Sequence, residues 1–355
     1  MHFDQALQQF GMHYAERWRD AVENRYAKDG LNILTVSSPS RLKDNDGNYP
    51  QIWHHGQPTD NVIVLIHGLT DSPFYMSAIA ADFAHIGFNV ILPLLPGHGL
   101  NHPGRVFRQL KHTDWIHTVN AACEVASHIG KQVSIGGLST GGALSVHKAI
   151  KDPKSISGAL FLYSAALDIG TAEQLLLQTE AGRILARLSD QTIWLEKTVV
   201  DQVKMILDDQ AAGASNEHYG IGDNPYKYSV FFFEGVSQLA EIIQEINEHY
   251  SDTPTKFSDL VQPVFAAHSK TDDSAKLRGI TPIISNHPSG RADLFLLEDV
   301  PHASVVLKQP IISDERHEEY TPANPQYAEM SQQMLSFAQS HLISSPVTTH
   351  QSSHS

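Results

Sequence analysis

The sequence predicts an α/β fold, with a mainly parallel central sheet flanked by helices and a helical insertion near the middle of the chain. Three observations carry this. Residues 61–68 read NVIVLIHG, an uninterrupted apolar run ending in glycine, as a strand buried on both faces requires. From there the apolar period switches back and forth between strand-like and helix-like segments, the pattern of strand–helix–strand units joined into a parallel sheet. The alternation stops after Leu167 and resumes at PVFAAHS (263–269), so what lies between is an insertion.

Taken in order, residues 3–27 carry apolar positions at helical spacing and predict an N-terminal helix. LNILTV (31–36) and YPQIWHH (49–55) predict strands on either side of the turn-rich SRLKDNDGN. After the strand at 61–68 come SAIAADFAHIG as helix, FNVILPLLP as strand, HTDWIHTVNAACEVASHIG as helix and QVSIGGL as strand. GGALSVHKAI is again helical and SGALFLYSAAL again a strand. Within the insertion, AEQLLLQTEAGRILARL, LEKTVVDQVKMIL and SQLAEIIQEINEHY have helical patterns with no strand between them. ADLFLLEDV (292–300) predicts the last strand and PQYAEMSQQMLSFAQSHL the last helix. The expected organisation is an N-terminal helix with leading strands (1–59), a core in two pieces (60–167 and 261–343), a helical cap (168–260) and a disordered tail (344–355) that lacks apolar anchors.

At 355 residues the chain is long enough to bury a large core without covalent staples. Net charge is −14, with 25 Lys+Arg against 39 Asp+Glu, which repels nucleic-acid phosphates and anionic membrane surfaces; neither is an expected partner. The single cysteine, Cys123, excludes an internal disulfide and reads as a small core residue. No basic-then-apolar leader opens the sequence and no run reaches the ~18 apolar residues of a membrane span, so the expected location is the cytoplasm; a processed secreted form would look the same. HExxH and closely spaced Cys/His sets are absent, and His112 and His117 stand five apart, off a common helical face. Neither metal nor cofactor is expected. The sequence does not fix an oligomeric state.

The chemistry centres on SIGGLSTGGALS (134–145). A G-x-S-x-G pentapeptide is weak by itself, but Gly137-Leu138-Ser139-Thr140-Gly141 follows a buried-strand pattern and precedes a helix. A nucleophile elbow needs that context: the residues two before and two after the serine must be nearly free of side chain, and the hydroxyl stands at a helix N-terminus. A phosphate-binding turn would need a Walker-type lysine, which is missing. Where such an elbow occurs, an acid follows the serine and a histidine comes last. His302, in LLEDVPHASVVL, lies just after the last strand; His287, His317 and His341 sit in less suitable contexts, and His350 and His354 in the tail. The acid is expected in AHSKTDDSA, where Asp272 is preferred for its loop length and Asp273 is the alternative; Asp299 lies too near His302 to reach back. A buried carboxylate there would fix the histidine tautomer. The oxyanion donors are expected to be the backbone N–H groups of Thr140, just after the serine, and Leu69, after His67-Gly68. His67 reads as structural. In the insertion, NPYKYSVFFFEG concentrates aromatic residues, of which Tyr228, Phe231 and Phe232 are candidates for lining a substrate pocket, with cap–core packing as the alternative.

VIVLIHGLTDSP, ILPLLPGHG, DWIHTV, GGLSTGG, PVFAAHSKTDD and VPHASVV resemble, in order and spacing, the α/β-hydrolase superfamily, and most of all its bacterial carboxylesterase and monoacylglycerol lipase group. The resemblance covers residues 60–165 and 262–342; the cap and the first 60 residues match only loosely. It implies a Ser139–Asp272–His302 triad, oxyanion donors at Leu69 and Thr140, and a small ester as substrate. Two positions depart from the group's pattern: Ser269 stands where glycine is usual, and the helix motif ends Thr118-Val119 rather than Asp-Val. The expected activity is serine carboxylester hydrolysis on short- to medium-chain esters or monoacylglycerols. C–C bond hydrolysis, thioester hydrolysis or iminopeptidase activity on the same triad is the first alternative, and a non-catalytic ligand-binding member of the fold is the second.

Overall fold

The computed structural model describes residues 2–169, 224–228, 233–253, 255–312 and 319–343. Nine strands form one sheet: β1 (Val22–Lys28), β2 (Leu31–Ser37), β3 (Gln51–His54), β4 (Thr59–Ile66), β5 (Asn89–Leu92), β6 (Gly130–Leu138), β7 (Leu160–Tyr163), β8 (Val264–Ser269) and β9 (Ala292–Leu297). Their spatial order is β1-β2-β3-β5-β4-β6-β7-β8-β9. β1, β2, β3 and β5 pair antiparallel in sequence across the sheet, and every pair from β5 to β9 is parallel. The mainly parallel sheet matches the architecture expected from the sequence.

Helices α1 (Phe3–Ala15), α2 (Ser77–His85), α3 (Gly104–Phe107), α4 (His112–Ile129), α5 (Thr140–Lys151), α6 (Phe233–His249), α7 (Leu277–Asn286) and α8 (Tyr327–Leu342) complete the layers. β4 shows why its sequence is apolar throughout. Val62, Val64 and Ile66 point to the face covered by α1, α4, α5 and α6, whereas Ile63 and Leu65 point to the face covered by α2 and α8, and all five are fully buried. α4 buries Trp115, Val119, Ala122, Cys123, Ala126 and Ile129, a stripe at helical spacing.

The N-terminal segment differs from the sequence expectation. The N-terminal helix, expected to run to residue 27, ends at Ala15, and residues 22–28 form the edge strand β1. The cause is the two-residue turn Asp29-Gly30, whose φ values of 51° and 81° fit a type I′ hairpin and commit the flanking residues to strands. α6, within the stretch expected to form the cap, lies on α4 and α5: Glu245 accepts from His112 Nε2 at 2.8 Å and from His147 Nε2 at 2.7 Å. A small hairpin of β10 (Ile311–Ile312) and β11 (Glu319–Thr321) was not legible as strands.

The parallel strands finish together. Ile66 pairs with Gly137, Leu138 with Tyr163, Tyr163 with Ala267 and Ser269 with Leu297, so the loops after β4, β6, β7, β8 and β9 emerge along one edge. Open parallel sheets bind ligands at that edge.

Candidate active site

Ser139 heads α5 directly after β6, with φ 53° and ψ −112°, a conformation that a residue bearing a side chain adopts only under constraint. The constraint is visible. Its N–H donates to the Tyr163 carbonyl at 3.0 Å, and its own carbonyl accepts from Ala166 N–H and Ala143 N–H, both at 3.0 Å. The glycines around it leave no room for side chains: a Cβ on Gly137 would lie 2.3 Å from the Ile66 carbonyl oxygen, and one on Gly141 only 2.0 Å from the same atom. Thr70, Ser164 and Asp299 also have positive φ, so four of the six such non-glycine residues among those described crowd this one edge of the sheet. Each costs about 1–3 kcal/mol, and clustered strain of this kind marks functional sites.

The loop after β4 closes on the elbow from the other side. Gly68 lies so close that a Cβ there would sit 3.4 Å from Ser139 Cβ and 2.5 Å from an Asp71 carboxylate oxygen. His67, fully buried, orients this loop. Its Nε2 accepts the Leu95 N–H at 3.1 Å, so the proton is on Nδ1, which donates to the Gly68 carbonyl at 2.9 Å. That bond turns the Gly68 carbonyl toward the imidazole, and the planar trans peptide turns the Leu69 N–H the opposite way. Burial holds the His67 imidazole down at about 4, well below the ordinary histidine range, and keeps it neutral. This is the structural role expected for His67. Thr140 is fully buried, and its N–H is the first of α5, a donor that the helix itself leaves unpaired.

Of the acids considered, Asp272 is the one joined to histidine. Its Oδ2 accepts from His302 Nδ1 at 2.7 Å, while Oδ1 accepts from the Ser274 and Ala275 N–H groups, both at 2.9 Å. Burial pushes the Asp272 carboxyl up, but the His302 bond and charge and the Ala275 N–H more than offset this and hold it at about 2. The Asp273 side chain is 86% exposed and faces Lys276. His302 opens a 3₁₀ turn just beyond β9 and is partly exposed. His287 is committed elsewhere, its Nε2 donating to the Gln262 carbonyl at 2.8 Å.

Two features escaped the sequence analysis. His268, within β8 and fully buried, donates from Nε2 to the Ala275 carbonyl at 2.9 Å and so pins the loop that carries Asp272. Beside the Gly68–Asp71 loop, Lys227 Nζ meets Asp71 Oδ1 at 2.5 Å, and the Tyr228 N–H donates to the Thr70 carbonyl at 2.9 Å. Burial alone would pull the Lys227 ammonium down; the Asp71 charge raises it above the ordinary lysine range. Tyr228, a pocket candidate from sequence, is 3% exposed, with its hydroxyl between the Leu100 N–H at 2.7 Å and the Gly97 carbonyl at 3.0 Å. It packs as a strut between loops. Phe231 and Phe232 lie outside the described residues.

Among the described residues, no cluster of three or more His, Cys, Asp or Glu side chains is arranged to hold a metal ion, and no helix is long and apolar enough to cross a membrane. Residues 57–304 match the family described as serine aminopeptidase, S33. Over 107 residues the chain is 34% identical to a thermostable monoacylglycerol lipase of Bacillus sp. (strain H-257); the match covers 30% of this chain and 41% of that protein, less than half its length. Among solved structures, a metagenome-derived lipolytic enzyme superposes with a TM-score of 0.58 at 19% identity, covering 83% of this chain and 98% of its own. A soluble variant of monoglyceride lipase from Saccharomyces cerevisiae gives 0.52 at 14% identity, over 89% of this chain and 95% of its own. At those identities the superpositions bear on the fold, which they share with this sheet and its flanking helices. With a family match running over well more than half of its residues, the chain belongs to the S33 serine aminopeptidase family of α/β-hydrolases.

Proposed function

We propose that the chain is a serine carboxylester hydrolase that cleaves short- to medium-chain esters or monoacylglycerols through an acyl-enzyme. The observation that carries this reading is the 2.7 Å contact between His302 Nδ1 and the buried Asp272 carboxylate, at the sheet edge where Ser139 sits in its strained elbow. Asp272 holds the proton on Nδ1 and so leaves Nε2 as the acceptor. As Ser139 Oγ attacks the ester carbonyl, His302 Nε2 takes its proton. The negative charge that develops on the carbonyl oxygen falls to the N–H groups of Leu69 and Thr140. His302 then gives its proton to the departing alkoxide, which leaves as the alcohol, and the acyl group remains on Ser139. A water, deprotonated by the same imidazole, attacks the acyl carbon; the acid leaves and Ser139 recovers its proton.

The identity to the Bacillus monoacylglycerol lipase favours a single-chain acyl ester, and the insertion at 168–260 is read as the cap that selects the chain. The family description also names aminopeptidases, so peptide amides belong in the test. An acyl-length series of p-nitrophenyl esters is run beside monoacylglycerols, thioesters and alanine or proline amides, with wild type and Ser139→Ala. Esters should be the best substrates, and the variant should lose their hydrolysis and its labelling by a fluorophosphonate. Equal slow hydrolysis by both proteins ends this reading, and faster turnover of amides moves it to the peptidase alternative.

A further inference from the structure

Among the described residues the sheet has an open edge at β1, five strands away from β6 and the elbow at Ser139. Every residue of β1 is exposed, and Val22 and Tyr26 are 45% and 38% exposed, unusual for apolar groups on a strand. On the side of Tyr26 and Lys28 the strand borders a cavity of about 800 Å³, which separates it from α2 residues Ala78, Ala81 and His85. The pairing with β2 fixes which backbone groups are free. Lys28 and Leu31 flank the two-residue turn, so Lys28, Tyr26, Asn24 and Val22 direct their N–H and carbonyl groups toward β2. Two bonds agree with this phase: the Ser37 hydroxyl of β2 donates to the Val22 carbonyl at 3.4 Å, and the Val36 N–H turns the other way, to the Pro50 carbonyl at 3.2 Å. Glu23, Arg25 and Ala27 therefore direct their backbone groups outward from the last strand of the sheet.

Open edges are commonly protected by charges that would repel a second edge. Here the charges do the opposite. Residues 20–28 read DAVENRYAK, and about Asn24 the sequence is complementary to its own reverse. We infer that β1 pairs with β1 of a second copy of this chain, antiparallel about a two-fold axis at Asn24, extending the sheet across a homodimer. In that register Glu23 lies opposite Arg25 of the second copy, Val22 opposite its Tyr26 and Ala21 opposite its Ala27, whereas Asp20, in the turn before β1, is held by the Ser38 hydroxyl and the Ser40 N–H of its own copy. The two Asn24 residues meet at the axis. The phase is the permitted one: the 23–25 pairs exchange the outward N–H and carbonyl groups, and the 24–24 and 22–26 pairs fall at the closer, non-hydrogen-bonded positions. A contact of this kind is isologous and closes at two copies. Within one copy Arg25 Nε already meets Glu23 Oε1 at 2.7 Å, so pairing completes a ring of four alternating charges without breaking a bond. A single strand pair lies at the small end of interface sizes, and each copy carries −14, so the dimer is weak, reversible and salt-sensitive.

The test is sedimentation equilibrium of the full chain from about 10 µM to about 0.3 mM, a range in which even a high-micromolar association populates dimer. Wild type should move from monomer to dimer, and the Glu23, Arg25 and Ala27 amides should gain hydrogen-exchange protection as it does. Glu23→Arg alone and Arg25→Glu alone each place like charges opposite one another twice and should weaken association at least tenfold. The double swap E23R/R25E restores every opposition and should recover wild-type association within about threefold, a coupling of the size expected for paired charges. Thermal melts show that each variant is folded. A chain that stays monomeric throughout, or a dimer indifferent to both single substitutions, overturns the inference.

Discussion

Asp272→Asn tests the catalytic reading most directly. Asp272 Oδ1 accepts two backbone N–H bonds at 2.9 Å, and Oδ2 accepts from His302 at 2.7 Å. An asparagine has one acceptor oxygen. The Ser274 and Ala275 donors claim it, because the alternative puts an NH₂ against two N–H groups. The NH₂ then faces His302 Nδ1 and can only donate to it. The imidazole must accept there, its proton moves to Nε2, and the atom that should receive the serine proton already holds one. With overall geometry kept, such a tautomer switch lowers kcat by about 10⁴, or about 5.5 kcal/mol of barrier. The assay is kcat on a short-chain p-nitrophenyl ester for wild type, Asp272→Asn and Asp273→Asn, with melting curves to verify folding. Asp273→Asn, altering a side chain 86% exposed, should stay within about twofold. If Asp272→Asn keeps a tenth of wild-type kcat, or Asp273→Asn is the damaged variant, the assignment of the acid is wrong.

Three further outcomes follow from the same geometry. Gly141→Ala sets a methyl 2.0 Å from the Ile66 carbonyl oxygen, so the elbow must shift; a loss of about 1–3 kcal/mol or more in denaturant unfolding should accompany near-complete loss of ester hydrolysis. Lys227→Met strands the Asp71 carboxylate, whose side chain is 3% exposed, beside the Gly68–Leu69 loop. It should cost about 2–4 kcal/mol and lower kcat more than it raises KM, and the double change D71N/K227M should recover most of the stability; equal losses in single and double variants refute the pairing. The third concerns pH. Asp272 is depressed from an ordinary 3.8 to about 2, so its contribution to stability, about 2 kcal/mol, is present above pH ~4 and lost as pH falls toward ~2. Urea unfolding of wild type should therefore steepen over that window, and Asp272→Asn should be flatter by about that amount.

The central strands, the elbow and the acid loop were legible because each is a local pattern. An apolar run, two glycines spaced about a serine, and a strand followed by two aspartates report their own surroundings. Loop length favoured Asp272 over Asp273, but the reason Asp272 is the one joined to histidine, its side chain turned inward to the Ser274 and Ala275 N–H groups, has no local sequence pattern. Lys227 and Asp71 are 156 positions apart, and nothing in the periodicity around either one announces the other. The end of α1 was a different kind of miss. The Asp-Gly turn stood in the sequence, but the apolar spacing before it imitated a helix, and turn chemistry was the better guide. His268 was hidden in another way: a histidine inside an apolar strand gives no sign that its ring will fasten a loop beyond the strand's end.

His67 and His302 lie at the same sheet edge under opposite conditions. Both nitrogens of His67 are occupied by the backbone, one receiving a proton bond from Leu95 and one giving its own to Gly68, so taking up a further proton would break the Leu95 bond. The direction of the Leu69 amide is thereby insulated from acidity until the medium nears pH 4. On the proposed mechanism His302 gains and loses charge in each half of every turnover. On that mechanism the scaffold gives one ring the task of carrying protons and denies the other any share in the traffic, so that the proposed cradle for the oxyanion would hold its shape while the base beside it cycles.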